Sequence, residues 1–102
     1  MNNNREFQES PFAQGVDESI AYTLTVPSSW GSSPTSPSVV IKDPDGVDVS
    51  ATCLSGSASV LGSVITTPKV KSLIAGNVYR LEVKWTDSGN TLEAYGFIVA
   101  QI

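Results

Sequence analysis

Residues 79–99 have the sequence YRLEVKWTDSGNTLEAYGFIV, and this stretch decides the fold of the chain. In its first half, apolar and polar side chains alternate for eight residues, with one side made of Tyr79, Leu81, Val83 and Trp85. Such alternation is typical of a strand in an antiparallel sheet that has one wet face. Asp87-Ser88-Gly89-Asn90 supplies a turn, and residues 91–99 return. The stretch therefore predicts a β-hairpin whose tyrosine-to-tryptophan face lies in the core.

Further short strands precede this hairpin. Alternation over residues 20–26 predicts a half-buried strand that ends at Pro27, before a Ser/Pro loop at 27–38. Residues 39–54 predict a second hairpin, with a strand at 39–42, a turn at Asp43-Pro44-Asp45-Gly46 and a return strand at 47–53. Residues 55–63 predict a flexible connection, and 63–67 a strand closed by Pro68. Six or seven such strands predict an all-β fold, an immunoglobulin-like antiparallel β-sandwich.

Length and charge bound the organisation of the chain and its classes of partner. The 102 residues are enough for one domain, which we place at 16–102, after an N-terminal arm at 1–15. The net charge is −4 and the six basic residues are scattered, so we expect no nucleic-acid partner. No apolar run approaches the length of a membrane span, and no signal-peptide core is present. We therefore expect no membrane partner, and synthesis in the cytosol.

The residues that usually carry catalysis are missing or poorly placed. The sequence has no histidine, which excludes Ser-His-Asp and Cys-His arrangements. The acidic residues fall in turns or on the wet strand face, and no Gly-rich phosphate motif is present. The single cysteine, Cys53, alternates with Val49 and Ala51, which predicts an inert core position. We expect no enzymatic activity, no cofactor and no small-molecule substrate.

One acidic motif resembles the start of a calcium loop. Asp43-x-Asp45-Gly46-x-Asp48 has the opening spacing, but Leu54 and Ser55 stand near the point where the loop needs a bidentate glutamate. A hairpin turn whose aspartates accept hydrogen bonds from local amides explains the same residues. We therefore predict no metal site there.

Two segments lack a strand pattern and are candidates for contacts with other proteins. Trp30 lies in the Ser/Pro loop, where it is either an exposed anchor for a partner or a plug over the end of the core. The arm at 1–15 carries Arg5, Phe7 and Phe12. It is either an edge strand or disordered tail, or a segment that docks on a neighbouring subunit. The candidate interface residues are thus Arg5, Phe7, Phe12 and Trp30.

The order of strands and turns resembles a group of small immunoglobulin-like proteins of tailed bacteriophages, the fibre–tail adaptor and neck accessory type. The resemblance lies in Asp17-Glu18-Ser19-Ile20, in Leu73…Gly76…Tyr79 and in the final hairpin, and it covers most of residues 17–99. In immunoglobulin-like folds the tyrosine of such a corner bonds back to nearby backbone. The resemblance implies a structural virion protein that joins or decorates neck, tail or head components. It also implies many copies or a symmetric homo-oligomer, and a location in the virion after synthesis in the host cytoplasm.

A second hypothesis comes from another class of protein. A carbohydrate- or surface-binding module, such as an adhesin or receptor-binding tip, needs an aromatic platform with polar acceptors nearby. Trp30 with Tyr22 or Tyr95 would supply that platform. This hypothesis requires those rings to lie on one surface.

Overall fold

The fold is described by a computed structural model that covers residues 10–31 and 33–101. These residues form eight strands and one helical turn. The elements are β1 (Phe12–Gly15), β2 (Ile20–Thr25), β3 (Thr35–Lys42), α1 (Ser50–Cys53), β4 (Leu54–Ser55), β5 (Ser59–Leu61), β6 (Val64–Val70), β7 (Val78–Asp87) and β8 (Asn90–Gln101). The all-β prediction is confirmed.

The strands form two sheets that enclose one apolar core. Sheet A has the order β1-β8-β7-β3, and sheet B has the order β2-β6-β4, with β5 also paired to β6. All pairs are antiparallel except β1 with β8, which is parallel. The buried apolar side chains come from both sheets and pack into one cluster, as expected for a sandwich.

The predicted hairpin at 79–99 is confirmed and forms the centre of sheet A. Strands β7 and β8 pair over ten positions, from Val78 opposite Val99 to Asp87 opposite Asn90, across the two-residue turn Ser88-Gly89. Both turn residues have positive φ, at 53° and 83°, which suits the tight turns that match strand twist. The predicted core face is buried throughout, with exposures of 2% or less at Tyr79, Leu81, Val83 and Trp85.

The start of this hairpin carries a tyrosine corner. The Tyr79 hydroxyl accepts a hydrogen bond from the Ile74 backbone N–H at 2.9 Å, and Leu73 is buried beside it. The predicted bond from the phenol to nearby backbone is therefore present. It holds the connection between β6 and β7 against the end of the core.

The predicted return strand at 47–53 is wrong. Only an isolated bridge joins Asp48 to Lys42, and the chain then enters α1. The backbone N–H groups of Thr52 and Cys53 both donate to the Val49 carbonyl, while the Asp48 carboxylate accepts from the Ser50 N–H. These local bonds compete with a strand ladder. Cys53 is still buried in the core, but a helical turn places it there.

Three further boundaries differ from the prediction. Strand β3 begins at Thr35, inside the predicted loop at 27–38, and not at residue 39. The segment 55–63 contains β5, which pairs with β6 across a turn at Gly62-Ser63. Strand β6 does not stop at Pro68 but continues to Val70. The register between β2 and β6 shifts at this point, because Ala21 pairs with Lys69 and Thr23 pairs with Thr66. A bulge is one of the places where a strand tolerates a proline.

The described part of the N-terminal arm belongs to the sandwich. Residues 12–15, which the sequence assigns to the arm, form β1 along β8. The Gln14 side chain is buried and donates to the Val70 carbonyl of sheet B at 2.7 Å and to the Glu18 carbonyl at 3.1 Å. It therefore ties the edge of sheet A to sheet B. Residues 1–9, with Arg5 and Phe7, lie outside the described residues.

No helix among the described residues is long and apolar enough to cross a membrane.

Candidate binding surface

The outer face of sheet A, which points away from the core, carries a cluster of aromatic and charged side chains. Strand β7 contributes Arg80 and Glu82, and strand β8 contributes Tyr95 and Phe97. The hairpin register places Arg80 opposite Phe97 and Glu82 opposite Tyr95. Because successive residues of a strand point to opposite faces, these four side chains share one face. We call them the Arg80 cluster.

The guanidinium of Arg80 is held from two sides within this cluster. Its central carbon lies 4.2 Å from the centroid of the Tyr95 ring and 6.0 Å from that of Phe97. Its Nε donates to the Glu82 carboxylate at 2.8 Å, and the two rings meet edge to face at 5.7 Å. A cation over an aromatic face is stabilised by the ring quadrupole. The Arg80 side chain is thus oriented before any partner binds.

The charges around the cluster are mixed and paired. Lys42 of β3 lies 3.3 Å from the second oxygen of Glu82, and Lys84 lies 3.6 Å from Glu93. These pairs are partly exposed, so each contributes little to stability. Their effect is to leave an alternation of positive and negative groups on the outer face. Such a pattern gives specificity for a complementary surface more than raw affinity.

A shallow depression of about 340 Å³ opens beside the cluster. Val40 and Tyr95 supply apolar wall, while Arg80, Glu82 and Lys84 supply charge. Apolar surface with a few oriented charged groups is suited to receive a side chain from another protein.

Trp30 lies away from this surface, on the core side of sheet A. Its ring stacks on that of the buried Trp85, with centroids 6.2 Å apart and an angle of 21° between planes. Trp30 is itself half-buried and packs against the core. This is the contact expected of a plug, while a role as an interface anchor stays a prediction.

The loop that carries Trp30 is fixed by a buried carboxylate. Asp87 accepts hydrogen bonds from the Ser33 backbone N–H at 2.9 Å and from the Ser88 hydroxyl at 3.0 Å. Gly31 passes so close to the same carboxylate that a Cβ at this position would overlap it. The carboxylate therefore accepts one hydrogen bond from the loop that carries Trp30 and one from the turn between β7 and β8. It positions the loop over Trp85.

Phe12 and Trp30, the two predicted interface residues that the structure describes, are not brought together. Phe12 contacts Tyr22 with ring centroids 4.5 Å apart and pairs with Ile98 in the sheet. Trp85, on whose ring Trp30 stacks, pairs with Leu92. Six residues along β8 separate the two positions, which is about 20 Å at strand spacing.

The rings named for a carbohydrate platform also point to different places. Tyr95 lies on the outer face of sheet A, and Trp30 packs on the inner face. Tyr22 lies between the sheets, where its hydroxyl donates to the Gln14 side-chain carbonyl at 2.7 Å. Burial raises the pKa of the Tyr22 phenol to about 12, and the nearby Glu18 carboxylate adds to this effect. The three rings therefore do not form one platform.

The acidic motif at 43–48 is a turn. One oxygen of Asp43 accepts from the backbone N–H groups of Asp45 and Val47, both at 2.9 Å. Hydrogen bonds from the Ser50 side chain and from the Ser50 backbone N–H lower the pKa of the Asp48 carboxyl. No group of three or more metal-ligating side chains is found within residues 10–31 and 33–101. The predicted local hydrogen bonds are present.

Burial also governs the chemistry of Cys53. Its thiol points to the Ser72 carbonyl at 3.7 Å, and burial raises its pKa. A raised pKa leaves less thiolate, so this position suits the predicted unreactive core cysteine.

The sequence pattern predicts no protein interface at the Arg80 cluster, and it offers only Tyr95 as a candidate ring for the carbohydrate platform. Alternation placed Arg80 on the wet face, but its aromatic neighbours depend on the hairpin register. A two-residue turn that pairs Asp87 with Asn90 fixes that register and brings Arg80 opposite Phe97. The run of apolar residues at 97–99, which interrupts the polar outer face, is the signal in the sequence.

Comparison with protein families, with curated proteins and with solved structures found no match for this chain.

Proposed function

We propose that this chain is a non-enzymatic structural protein of a tailed-bacteriophage virion, which joins or decorates neck, tail or head components through protein–protein contacts. The observation that carries the proposal is the Arg80 cluster, in which a guanidinium is oriented by Tyr95 and Glu82. Arginine and aromatic residues dominate the binding energy of protein interfaces. An anchor that is already oriented loses less conformational freedom on binding.

Two further features support the choice of protein class. The Tyr79 hydroxyl accepts a hydrogen bond from the Ile74 N–H, which is the kind of contact made by the tyrosine corner of immunoglobulin-like proteins. The mixed charges around the cluster suit a specific contact with another folded surface. The proposed partners are other virion structural proteins, met by many copies of this chain after its synthesis in the host cytoplasm.

The proposal is tested on particles from the strain that carries the gene. Particles purified on a density gradient after lytic growth are analysed by quantitative mass spectrometry and by electron microscopy with a labelled antibody against the chain. We expect a copy number per particle that is constant between preparations, and label confined to one position. A chain found only in the free fraction of the lysate would contradict the proposal.

A further inference from the structure

The margins of the two sheets differ in how they are protected against pairing with another strand. An exposed edge presents unpaired N–H and C=O groups, and natural proteins shield such edges with prolines, charges, bulges or covering segments. Four margins exist among the described residues: β1 and β3 in sheet A, and β2 and the β4/β5 side in sheet B.

Three of these margins are shielded. In β3, Pro37 lacks an N–H, and the Ile41 N–H and C=O are already bonded to the Ser50 hydroxyl and the Val49 N–H. In β1, the Gly15 N–H donates to the Glu18 carboxylate. Strands β4 and β5 have only two and three residues.

Among the described residues, the margin at β2 carries no proline, charge or covering segment, and the extra residue at its register shift with β6 lies in β6 and not in β2. The Val26 N–H donates a hydrogen bond to the Ser63 carbonyl. This bond determines which residues of β2 direct their backbone groups at β6. By the alternation of an antiparallel ladder, the backbone groups of Ala21, Thr23 and Thr25 point away from β6. No hydrogen bond joins these groups to any other described residue. Strand β2 is six residues long, contains no proline and no charge, and has the sequence IAYTLT.

The side chains of β2 make this edge complementary to itself. In an antiparallel pair of two β2 strands centred on Thr23, Ala21 would oppose Thr25 on the outer face, and Thr23 would oppose its own copy. All three side chains are small, uncharged and exposed. On the inner face, the half-buried Tyr22 would oppose Leu24 of the second copy. Cross-strand pairs of threonines, and of aromatic with aliphatic residues, stabilise a sheet.

The distribution of charged residues around β2 also favours the pairing of two β2 strands. No charged residue occurs between Glu18 and Lys42 in the sequence. With Thr23 at the centre, Glu18 would face Ser28 of the second copy, so no like charges meet. A partner recognised by charge would find nothing to pair with along this edge, whereas a second copy matches it at each position.

We propose that two copies of this chain associate through antiparallel pairing of their β2 edges about Thr23, which joins the two copies of sheet B into one continuous sheet. This arrangement is an isologous twofold contact, the commonest kind in soluble oligomers. The inference does not depend on the proposed virion function. The β2 edge belongs to sheet B and the Arg80 cluster to sheet A, so each proposal can fail alone.

The first test is the mass in solution of the full chain, measured by analytical ultracentrifugation over a range of concentrations. We expect twice the chain mass of 10.8 kDa. Thr23→Lys puts two lysines opposite each other at the centre of the pair, and we expect at least a tenfold weaker dimer. Thr91→Lys, at another exposed strand threonine in sheet A, should leave the dimer unchanged. Circular dichroism checks that both variants are folded.

The second test reports the register directly. Centred on Thr23, the two copies of this residue would form a hydrogen-bonded pair with Cα atoms about 5.5 Å apart, which is within the range for a disulfide. Thr23→Cys should therefore cross-link on mild oxidation, and Thr91→Cys should not. The natural Cys53 is buried and does not confuse the result.

Three outcomes would overturn the proposal. They are a monomer at all concentrations, a dimer that Thr23→Lys leaves intact, and a dimer lost on removal of residues 1–9 while Thr23→Cys fails to cross-link. The last result would assign the contact to the N-terminal residues instead.

Discussion

The guanidinium carbon of Arg80 lies 4.2 Å from the centre of the Tyr95 ring, although the two residues are 15 positions apart in the sequence. The hairpin register creates this contact by placing Tyr95 opposite Glu82, the residue that also accepts a hydrogen bond from Arg80. The most regular part of the fold thus carries both the core, on its inner face, and an oriented arginine on its outer face.

Gly31 is the first position at which we predict a strong effect of substitution. Its φ of +144° disfavours any side chain, and a Cβ would overlap the Asp87 carboxylate. Gly31→Ala should lower the free energy of unfolding by about 3 kcal/mol or more, since backbone strain and a displaced buried charge add. Urea denaturation measures this.

Gly46→Ala is the matched control for that experiment. Gly46 also has positive φ, at +83°, but nothing lies within 4 Å of a Cβ there. It should therefore cost only about 1 kcal/mol, from backbone strain alone. Equal losses in the two variants would show that the contact with Asp87 has no special weight.

Substitutions at Trp85 measure how much the burial of its ring contributes to stability, because they remove no hydrogen bond. Its ring is buried, and its Nε1 is the one buried side-chain nitrogen or oxygen without a hydrogen-bond partner in the described part of the chain. Trp85→Ala should cost roughly 3–5 kcal/mol, the usual loss for a large buried aromatic. Trp85→Phe should cost clearly less, because it removes no hydrogen bond and keeps a ring against Trp30. Thermal and urea unfolding of both variants test this, and equal losses would be inconsistent with it.

We predict that the contribution of Tyr22 to the free energy of unfolding is lost at high pH. The folded protein raises the pKa of this phenol from 10.0 to about 12, so the neutral form is favoured in the fold. Its contribution is therefore complete below pH 10 and is lost as the pH rises through about 12. The difference in unfolding free energy between wild type and Tyr22→Phe should be constant up to pH 10 and then shrink.

Absorbance at alkaline pH gives an independent measurement of the same shift. The ionisation step near pH 12 should be missing from a titration of Tyr22→Phe. A difference in unfolding free energy that stays flat through pH 12, or a variant that keeps the step, would show that Tyr22 is not the group concerned.

The central hairpin was predictable because its pattern comes from burial on one side only. Tyr79 to Trp85 alternate apolar and polar residues in step with the pleat, and the structure buries the predicted face. The predicted tyrosine corner also follows from local spacing. Such short-range patterns need no knowledge of which strand lies across the core.

The prediction of a return strand in the second hairpin was wrong, because alternation of apolar and polar residues also arises by chance in a short segment. Val47 is exposed and Cys53 is buried, although both belong to one side of the predicted strand. Hydrogen bonds from Ser50 to Asp48, and from two later N–H groups to Val49, hold a helical turn instead. Serine and aspartate side chains offer the backbone such local alternatives, which a hydrophobic pattern does not register.

The sequence also could not predict which strands pair when they lie far apart in the chain. Pairing of β1 with β8 brings Gln14 between the sheets, and nothing in residues 12–15 alone indicates a partner at 98–101. The candidate surface could be predicted from the sequence only in part. Arg80 was correctly placed on the wet face, but its contact with Tyr95 requires the register of two strands.

The occupancy of an Arg80→Ala variant in purified particles is the most direct measurement of the central claim, that the Arg80 cluster is the contact surface of a virion protein. Arg80 is partly exposed, so its removal should cost only about 1 kcal/mol of stability. An arginine at the centre of an interface contributes about 2 kcal/mol or more, roughly a thirtyfold loss of affinity. Lys69→Ala, which removes the same charge from an exposed position on sheet B, is the control.

The predicted result is a folded Arg80→Ala protein whose copy number per particle falls below about a tenth of wild type, with Lys69→Ala unchanged. An Arg80→Ala protein present at the wild-type copy number would contradict the account.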